Sequence, residues 1–107
     1  MSLNCTKGGQ GKPLQNVTCK VGQDYCAIVH PLEGTKKDQK FRSCFKKSTL
    51  TDSYKYTRTP AETLTCQEVI VNKVDISLCV CTKDYCNYGS VLKVSKRNLN
   101  FDKSLIE

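Results

Sequence analysis

The most regular pattern of β-branched and polar residues lies between Cys66 and Cys79. Two five-residue runs rich in Val and Ile flank the dipeptide Asn72-Lys73, which predicts two β-strands joined by a tight turn. Asn72 tolerates the left-handed backbone of a two-residue turn, whereas Lys73 suits its position less well than glycine. The resulting register places Cys66 opposite Cys79 at a non-hydrogen-bonded position. Facing Cα atoms are then about 4.5 Å apart, within reach of a disulfide.

Weaker patterns predict two further hairpins and one helix. The glycine-rich run of residues 7–13 is predicted to form a hairpin tip. Short runs at residues 27–29 and 40–42 predict the strands of a second hairpin around a longer tip. Further on, the order Thr-Pro-Ala-Glu is a capping box with proline at the first helical position. It predicts a short helix near residues 60–65, docked by Leu64.

Composition adds covalent cross-links to this picture. The chain has 107 residues and eight cysteines, and an even count in so short a chain is typical of an oxidised extracellular domain. Many pairings are compatible with eight cysteines, so spacing leaves the connectivity open apart from Cys66 and Cys79. Two sequons, at Asn4 and Asn16, support export. Asn16 is the better N-glycosylation candidate because Cys5 lies inside the first sequon.

Charge narrows the class of partner. The net charge is +7, which favours an acidic protein face, sulfated glycans or anionic lipid headgroups. A nucleic-acid partner is not expected, because the chain has no Trp and its basic residues are spread over several segments. The sequence contains no apolar stretch of membrane-spanning length and no signal peptide. Residues 1–3 are interpreted as an expression remnant, the alternative being a natural cytosolic start.

Neither catalysis nor metal binding has a convincing signature. The single histidine, His30, precedes a proline in a predicted tip, and no serine or carboxylate has a partner pattern. Cys79, Cys81 and Cys86 are close enough in sequence to share zinc, but their spacing is unlike that of zinc-binding Cys-x-x-Cys pairs. We therefore expect a protein that is not an enzyme and holds no cofactor and no metal.

The cysteine spacing resembles that of the three-finger fold. Thirteen residues separate Cys5 from Cys19, six more precede Cys26, and the run Cys81-x-x-x-x-Cys86-Asn87 closes the pattern. Snake toxins share this fold with the lymphocyte-antigen and urokinase-receptor (LU) family and with the ectodomains of activin and TGF-β-type receptors. The resemblance implies a small, disulfide-rich, all-β domain over residues 5–87, in which four bridges at one end hold three β-hairpin fingers. The implied pairs are Cys5–Cys26, Cys19–Cys44, Cys66–Cys79 and Cys81–Cys86.

The resemblance also assigns a structural role to Asn87, and the chain departs from the family pattern at several positions. Asn87 matches the terminal asparagine of the family, whose side chain is expected to hydrogen-bond the cross-linked base. A second cysteine shortly after the first, common in LU domains, is absent, and Val80 separates two cysteines that are adjacent in toxins. The segment from Cys44 to Cys66 is longer than in toxins. That segment includes Tyr54 and Tyr56 and is interpreted as an added strand or a surface loop.

These features together predict an extracellular recognition module. Residues 1–4 are interpreted as an N-terminal segment and residues 88–107 as a basic tail or stalk. The expected partner is a protein on or near a cell surface. It would contact the second finger, with Leu32 as an apolar tip and Phe41 anchoring the sheet or the partner. The charge at this finger comes from Lys36, Lys37, Lys40 and Arg42.

Several roles remain open within that class. An LU-type modulator of a receptor or channel ranks first and a growth-factor receptor ectodomain second. A secreted toxin-like ligand of nicotinic receptors ranks third, because the second tip lacks the aromatic and arginine cluster such ligands present. A glycan or anionic-membrane binder acting through charge is the alternative from a different class. The sequence leaves open whether the protein is secreted or held at the outer cell surface by a glycolipid anchor, and it leaves the oligomeric state open.

Overall fold

The computed structural model describes residues 2–9, 11–32 and 40–89. Six antiparallel strands form one sheet in the order β2-β1-β4-β3-β6-β5, and four disulfides cross-link it. The protein therefore has the small, all-β, disulfide-rich fold that the sequence predicts. Most of the predicted tail lies outside the described residues, which end at residue 89. The strands are β1 (Asn4–Gly9), β2 (Lys12–Thr18), β3 (Tyr25–Pro31), β4 (Phe41–Phe45), β5 (Thr65–Val71) and β6 (Val74–Cys81).

The third hairpin, formed by β5 and β6, has the predicted register. Val71 pairs with Val74 and Cys66 pairs with Cys79, with 3.9 Å between the two cysteine Cα atoms. Both turn residues have positive φ, 51° at Asn72 and 68° at Lys73, as a type I′ turn requires. The two-residue turn thus fixes which side chains of this hairpin share a face.

The first hairpin (β1 and β2) and the second (β3 and β4) also form, with one difference from the predicted tip. Two glycines of the predicted tip, Gly8 and Gly9, are instead the last residues of β1. Gly9 pairs with Phe41 of β4. A Cβ atom on Gly9 would lie 2.3 Å from the main-chain oxygen of Lys40. Only glycine therefore allows β1 to approach β4 this closely.

The sheet has one well-covered face. Cross-strand neighbours share a face, and the alternating residues of β3, β5 and β6 on one side are buried beneath the segment that follows β4. We call this the covered face. Its core consists of Ala27, Val29, Phe45, Leu50, Tyr56, Val69, Ile76, Leu78 and Val80. The opposite side of β3, β5 and β6 we call the outer face, defined by His30, Leu32, Glu68, Ile70, Asp75 and Ser77.

The segment between β4 and β5 covers the core as a loop with a short π-helical turn (Thr49–Ser53). It forms no added strand. The Tyr54 ring packs edge-on against Phe45 with 5.9 Å between centroids, and the Tyr56 hydroxyl donates a 3.0 Å hydrogen bond to the main-chain oxygen of Thr65. The two tyrosines therefore anchor the loop to the sheet. In the part of the chain that is described, no helix is long and apolar enough to span a membrane.

The predicted helix near residues 60–65 is wrong. Ala61 forms a parallel bridge to Cys81, and its main-chain oxygen accepts a 3.0 Å hydrogen bond from the Thr82 N–H. In a helix that oxygen would accept from Thr65, which instead begins β5. Pairing with β6 therefore overrides the local capping signal.

Candidate functional site

The disulfides lie at one end of the sheet and hold the three hairpins there. The bridges join Cys5 to Cys26, Cys19 to Cys44, Cys66 to Cys79 and Cys81 to Cys86, the pairs that the three-finger resemblance implies. Cys26 sits between Cys44 of β4 and Cys81 of β6 in adjacent strands, which gathers three of the four bridges into a buried cluster. Chain-entropy estimates give about 3 kcal/mol for closing a loop of roughly 15 residues. The bridges thus add rigidity to a sheet with a small core.

Asn87 joins the first and second hairpins above this cluster. Its side chain is fully buried, and its Oδ1 accepts a 2.8 Å hydrogen bond from the Thr6 N–H. Its Nδ2 donates to the main-chain oxygens of Thr6 at 2.9 Å and Ala27 at 3.0 Å. One amide side chain therefore satisfies three main-chain groups on β1 and β3.

Sulfur crowding at the base does not create a metal site. The Sγ atoms of Cys5, Cys19 and Cys44 all lie within 4.8 Å of one another. All three belong to disulfides, as do the cysteines at 79, 81 and 86 that the sequence placed near one another. Cysteine binds zinc as a thiolate, so the disulfide-bonded sulfurs of the base offer zinc no thiolate ligands.

The residues predicted to form a contact surface on the second hairpin separate into distinct environments. Leu32 is exposed, Lys40 is partly buried, and Phe41 packs against the core. Arg42 donates from Nε to the main-chain oxygen of Asn87 at 2.8 Å and from an Nη atom to that of Gly89 at 3.3 Å. This gives Arg42 an internal role at the base. Lys36 and Lys37 lie outside the described residues.

The third hairpin completes a surface that the sequence reasoning missed. Ile70 lies next to the last residue of β5, remains 69 % exposed and pairs with Asp75. Leu32 lies on the other side of Asp75, where the Leu32 N–H donates a 2.8 Å hydrogen bond to the main-chain oxygen of Asp75. Leu32 follows the buried Pro31 in an extended ladder, so alternation puts it on the outer face with Ile70. Two exposed apolar side chains thus flank one carboxylate.

A second row of the outer face crosses the same strands one step closer to the disulfides. His30 pairs with Ser77, and Ser77 pairs with Glu68. The signal for this surface was in the sequence, because the hairpin register fixes which face Glu68 and Ile70 occupy. It was overlooked because the predicted contact surface was confined to the second hairpin.

Charges of opposite sign occupy opposite sides of the outer face. Burial and the neighbouring charge of Lys40 lower the pKa of His30. On the third hairpin the charge of Asp75, then burial, then a hydrogen bond with Asp75 raise the pKa of Glu68. A lowered pKa leaves His30 largely uncharged at neutral pH, so Lys40 supplies the positive charge beside the second hairpin. Glu68 and Asp75 supply the negative charge on the third, and the apolar side chains lie towards the tips.

The two sequons differ in their surroundings. The Asn16 side chain is exposed on β2. Asn4 is partly buried, and its Oδ1 accepts a 2.8 Å hydrogen bond from the Thr18 hydroxyl, while its N–H donates to the Asp84 carboxylate. The fold thus leaves room for a glycan at Asn16 and uses the Asn4 side chain internally.

Comparison of the chain with protein-family models and with curated proteins gives no match.

Proposed function

We propose that this protein is a non-enzymatic extracellular recognition module of the three-finger type. It binds a protein on or near a cell surface through the outer face of the second and third hairpins. The observation that carries the proposal is the pair of exposed apolar side chains, Leu32 and Ile70, on either side of Asp75 in adjacent strands. Isolated exposed apolar residues are ordinary, but a group on a rigid sheet beside charges of both signs is typical of recognition surfaces.

The arrangement of the second row supports a binding role over a hydrolytic one. In a Ser-His-acid triad the histidine lies between the hydroxyl and the carboxylate. Here Ser77 lies between His30 and Glu68, so the carboxylate cannot orient the imidazole. Among the described residues no side-chain hydrogen bond joins the His30 imidazole to the Ser77 hydroxyl, which lies 3.8 Å from the Cys79 sulfur.

The mixed charge of the outer face favours a protein partner over a polyanion. A glycan or anionic membrane would be attracted by Lys40 but repelled by Glu68 and Asp75 across the same surface. A protein can place an acidic group opposite the second hairpin and a basic group opposite the third. An LU-type modulator and a growth-factor receptor ectodomain both fit such a surface, as does either secretion or attachment to the outer cell surface.

Binding of the fluorescently labelled, oxidised protein to cells of its own source tests the proposal. Ile70→Asp and Leu32→Asp place a carboxylate in the apolar part of the surface and are each expected to weaken binding at least about tenfold, as loss of an interface anchor does. Val21→Asp is the matched control, because Val21 is 99 % exposed outside the outer face. Binding should also be lost after protease treatment of the cells.

Two results would contradict the proposal. The first is unchanged binding by both outer-face variants, which would leave the apolar pair without a role. The second is binding that survives protease treatment and collapses as salt is raised, since screening over about 8 Å at physiological ionic strength weakens exposed charge pairs. That pattern would assign the protein to the glycan or anionic-membrane class, which its net charge of +7 also suits.

A further inference from the structure

A cleft of about 680 Å³ lies on the covered side of the molecule, between the sheet and the segment that follows β4. Its floor is apolar and includes Tyr25, Leu50 and Tyr56. Leu50 and Tyr56 are buried, with 1 % and 4 % of their surface exposed, so the floor is firmly packed. The volume falls within the range of about 300–1,000 Å³ that is usual for small-molecule sites.

The rim of the cleft is cationic. Lys47, Lys55 and Arg58 line it and are exposed, and no acidic residue of the described chain lines it. Lys55 Nζ donates a 3.0 Å hydrogen bond to the main-chain oxygen of Asp52, whose carboxylate accepts instead from the Thr51 hydroxyl.

Two of these cations are available to a ligand. Within the described residues, neither Lys47 Nζ nor the Arg58 guanidinium has a hydrogen-bond or ion-pair partner. Arg58 and Tyr56 line the same cleft. Burial raises the pKa of Tyr56, and the charge of Arg58 opposes that rise. Positive charge therefore borders the apolar floor.

We infer that this cleft binds a small amphiphilic anion, with an apolar body on the tyrosine and leucine floor and one carboxylate, sulfate or sulfonate held by Arg58 and Lys47. Burial of the apolar body supplies most of the affinity. The cations select for negative charge, since ionic hydrogen bonds next to apolar surface are stronger than those in open water. The lining offers side chains for an anionic head but no unpaired strand edge, so it suits a compact ligand better than an extended peptide. The site lies away from the outer face and stands independently of the recognition role.

The test uses two fluorescent probes of the same shape. Anilinonaphthalene sulfonate carries the anionic head, and N-phenyl-1-naphthylamine is its neutral analogue. The oxidised protein should bind the sulfonate saturably at one site, about tenfold more tightly than the amine. The double variant Lys47→Gln/Arg58→Gln should lose that preference and keep its affinity for the amine.

The matched control removes the same charge elsewhere. Lys20→Gln/Lys83→Gln alters two exposed lysines outside the cleft and should change sulfonate binding by less than about twofold, apart from a weak long-range effect. Thr59→Trp places a large side chain on the cleft lining and should abolish binding of both probes. Far-UV circular dichroism of each variant establishes that the sheet is intact.

Several outcomes overturn the inference. Equal affinity of the native protein for both probes would mean that the cations do not participate. An equal loss in the control variant would assign the effect to net charge, and full binding by Thr59→Trp would place the probe elsewhere. Decanoate should displace the sulfonate. Displacement at lower concentration by the acidic peptide acetyl-Glu-Leu-Glu-amide would instead make the cleft a docking site for protein.

Discussion

Replacement of Asn87 by alanine should be among the most destabilising single changes in this protein. The side chain is fully buried and makes hydrogen bonds of 2.8, 2.9 and 3.0 Å to main-chain groups of Thr6 and Ala27. A net contribution of about 1 kcal/mol per hydrogen bond gives about 3 kcal/mol. Alanine also leaves the Thr6 N–H and two carbonyl oxygens without partners, so we expect a total loss of about 3–5 kcal/mol. That is a large part of the roughly 5–15 kcal/mol that stabilises a typical domain.

Asn87→Asp separates the donor role of this side chain from its shape. The carboxylate keeps the bond from the Thr6 N–H but directs its other oxygen at the main-chain oxygens of Thr6 and Ala27. Repulsion there raises the pKa of the introduced carboxyl above its unfolded value. The variant should therefore approach wild-type stability below the unfolded pKa of about 4 and lose it as pH rises through the higher folded value.

Guanidinium-induced unfolding under non-reducing conditions, followed by far-UV circular dichroism at pH 7 and pH 3.5, measures both effects. Asn16→Ala is the matched control, because that asparagine is exposed on β2, and it should change stability by less than about 0.5 kcal/mol. Unglycosylated protein is used throughout. A free energy of unfolding for Asn87→Ala within about 1 kcal/mol of wild type would refute the reasoning, as would a pH profile for Asn87→Asp that matches wild type.

Three smaller predictions use the same unfolding assay. Thr6→Val should stabilise the protein by about 1 kcal/mol, because the fully buried Thr6 hydroxyl has no hydrogen-bond partner among the described residues; destabilisation would show that the hydroxyl is satisfied. Lys73→Gly should add about 0.5–1 kcal/mol, since φ is 68° at Lys73 and glycine relieves that strain at some cost in chain entropy. Lys83→Gly is the control and should give no such gain, because φ is not positive at Lys83. Glu68→Gln should add about 0.2–0.5 kcal/mol at pH 7, after allowance for solvent screening, because Asp75 raises the pKa of Glu68. A raised carboxyl pKa means that the ionised pair opposes folding above the unfolded pKa, so the gain should vanish near pH 3, and a gain that persists there would contradict an electrostatic origin.

The parts of the fold that could be predicted are those that neighbouring residues determine. The hairpin around Asn72 and Lys73 follows from alternation and turn chemistry, which act over a few residues. The four disulfide pairs were implied by a resemblance in spacing, and only Cys66–Cys79 had a geometric argument of its own.

The parts that could not be predicted depend on distant contacts. The capping box at residues 59–62 is a genuine local helix signal, but the bridge between Ala61 and Cys81 spans 20 positions and overrides it. Local pattern also could not show that the Arg42 side chain would bond the main-chain oxygens of Asn87 and Gly89. The loop with Tyr54 and Tyr56 was left open for the same reason.

The distribution of cover over the sheet explains why the outer face is the better candidate for recognition. The segment after β4 buries one face with Leu50 and Tyr56, and the Asn87 base buries the lower part of the other, where Ile28 is fully buried. Among the described residues nothing covers the upper part, where Ile70 keeps 69 % of its surface exposed. A polar residue would suit that position in an isolated sheet better, because exposed apolar surface has a cost in water. Under the proposed function, the contacts that would offset this cost would come from a partner whose apolar group fits between the second and third hairpins.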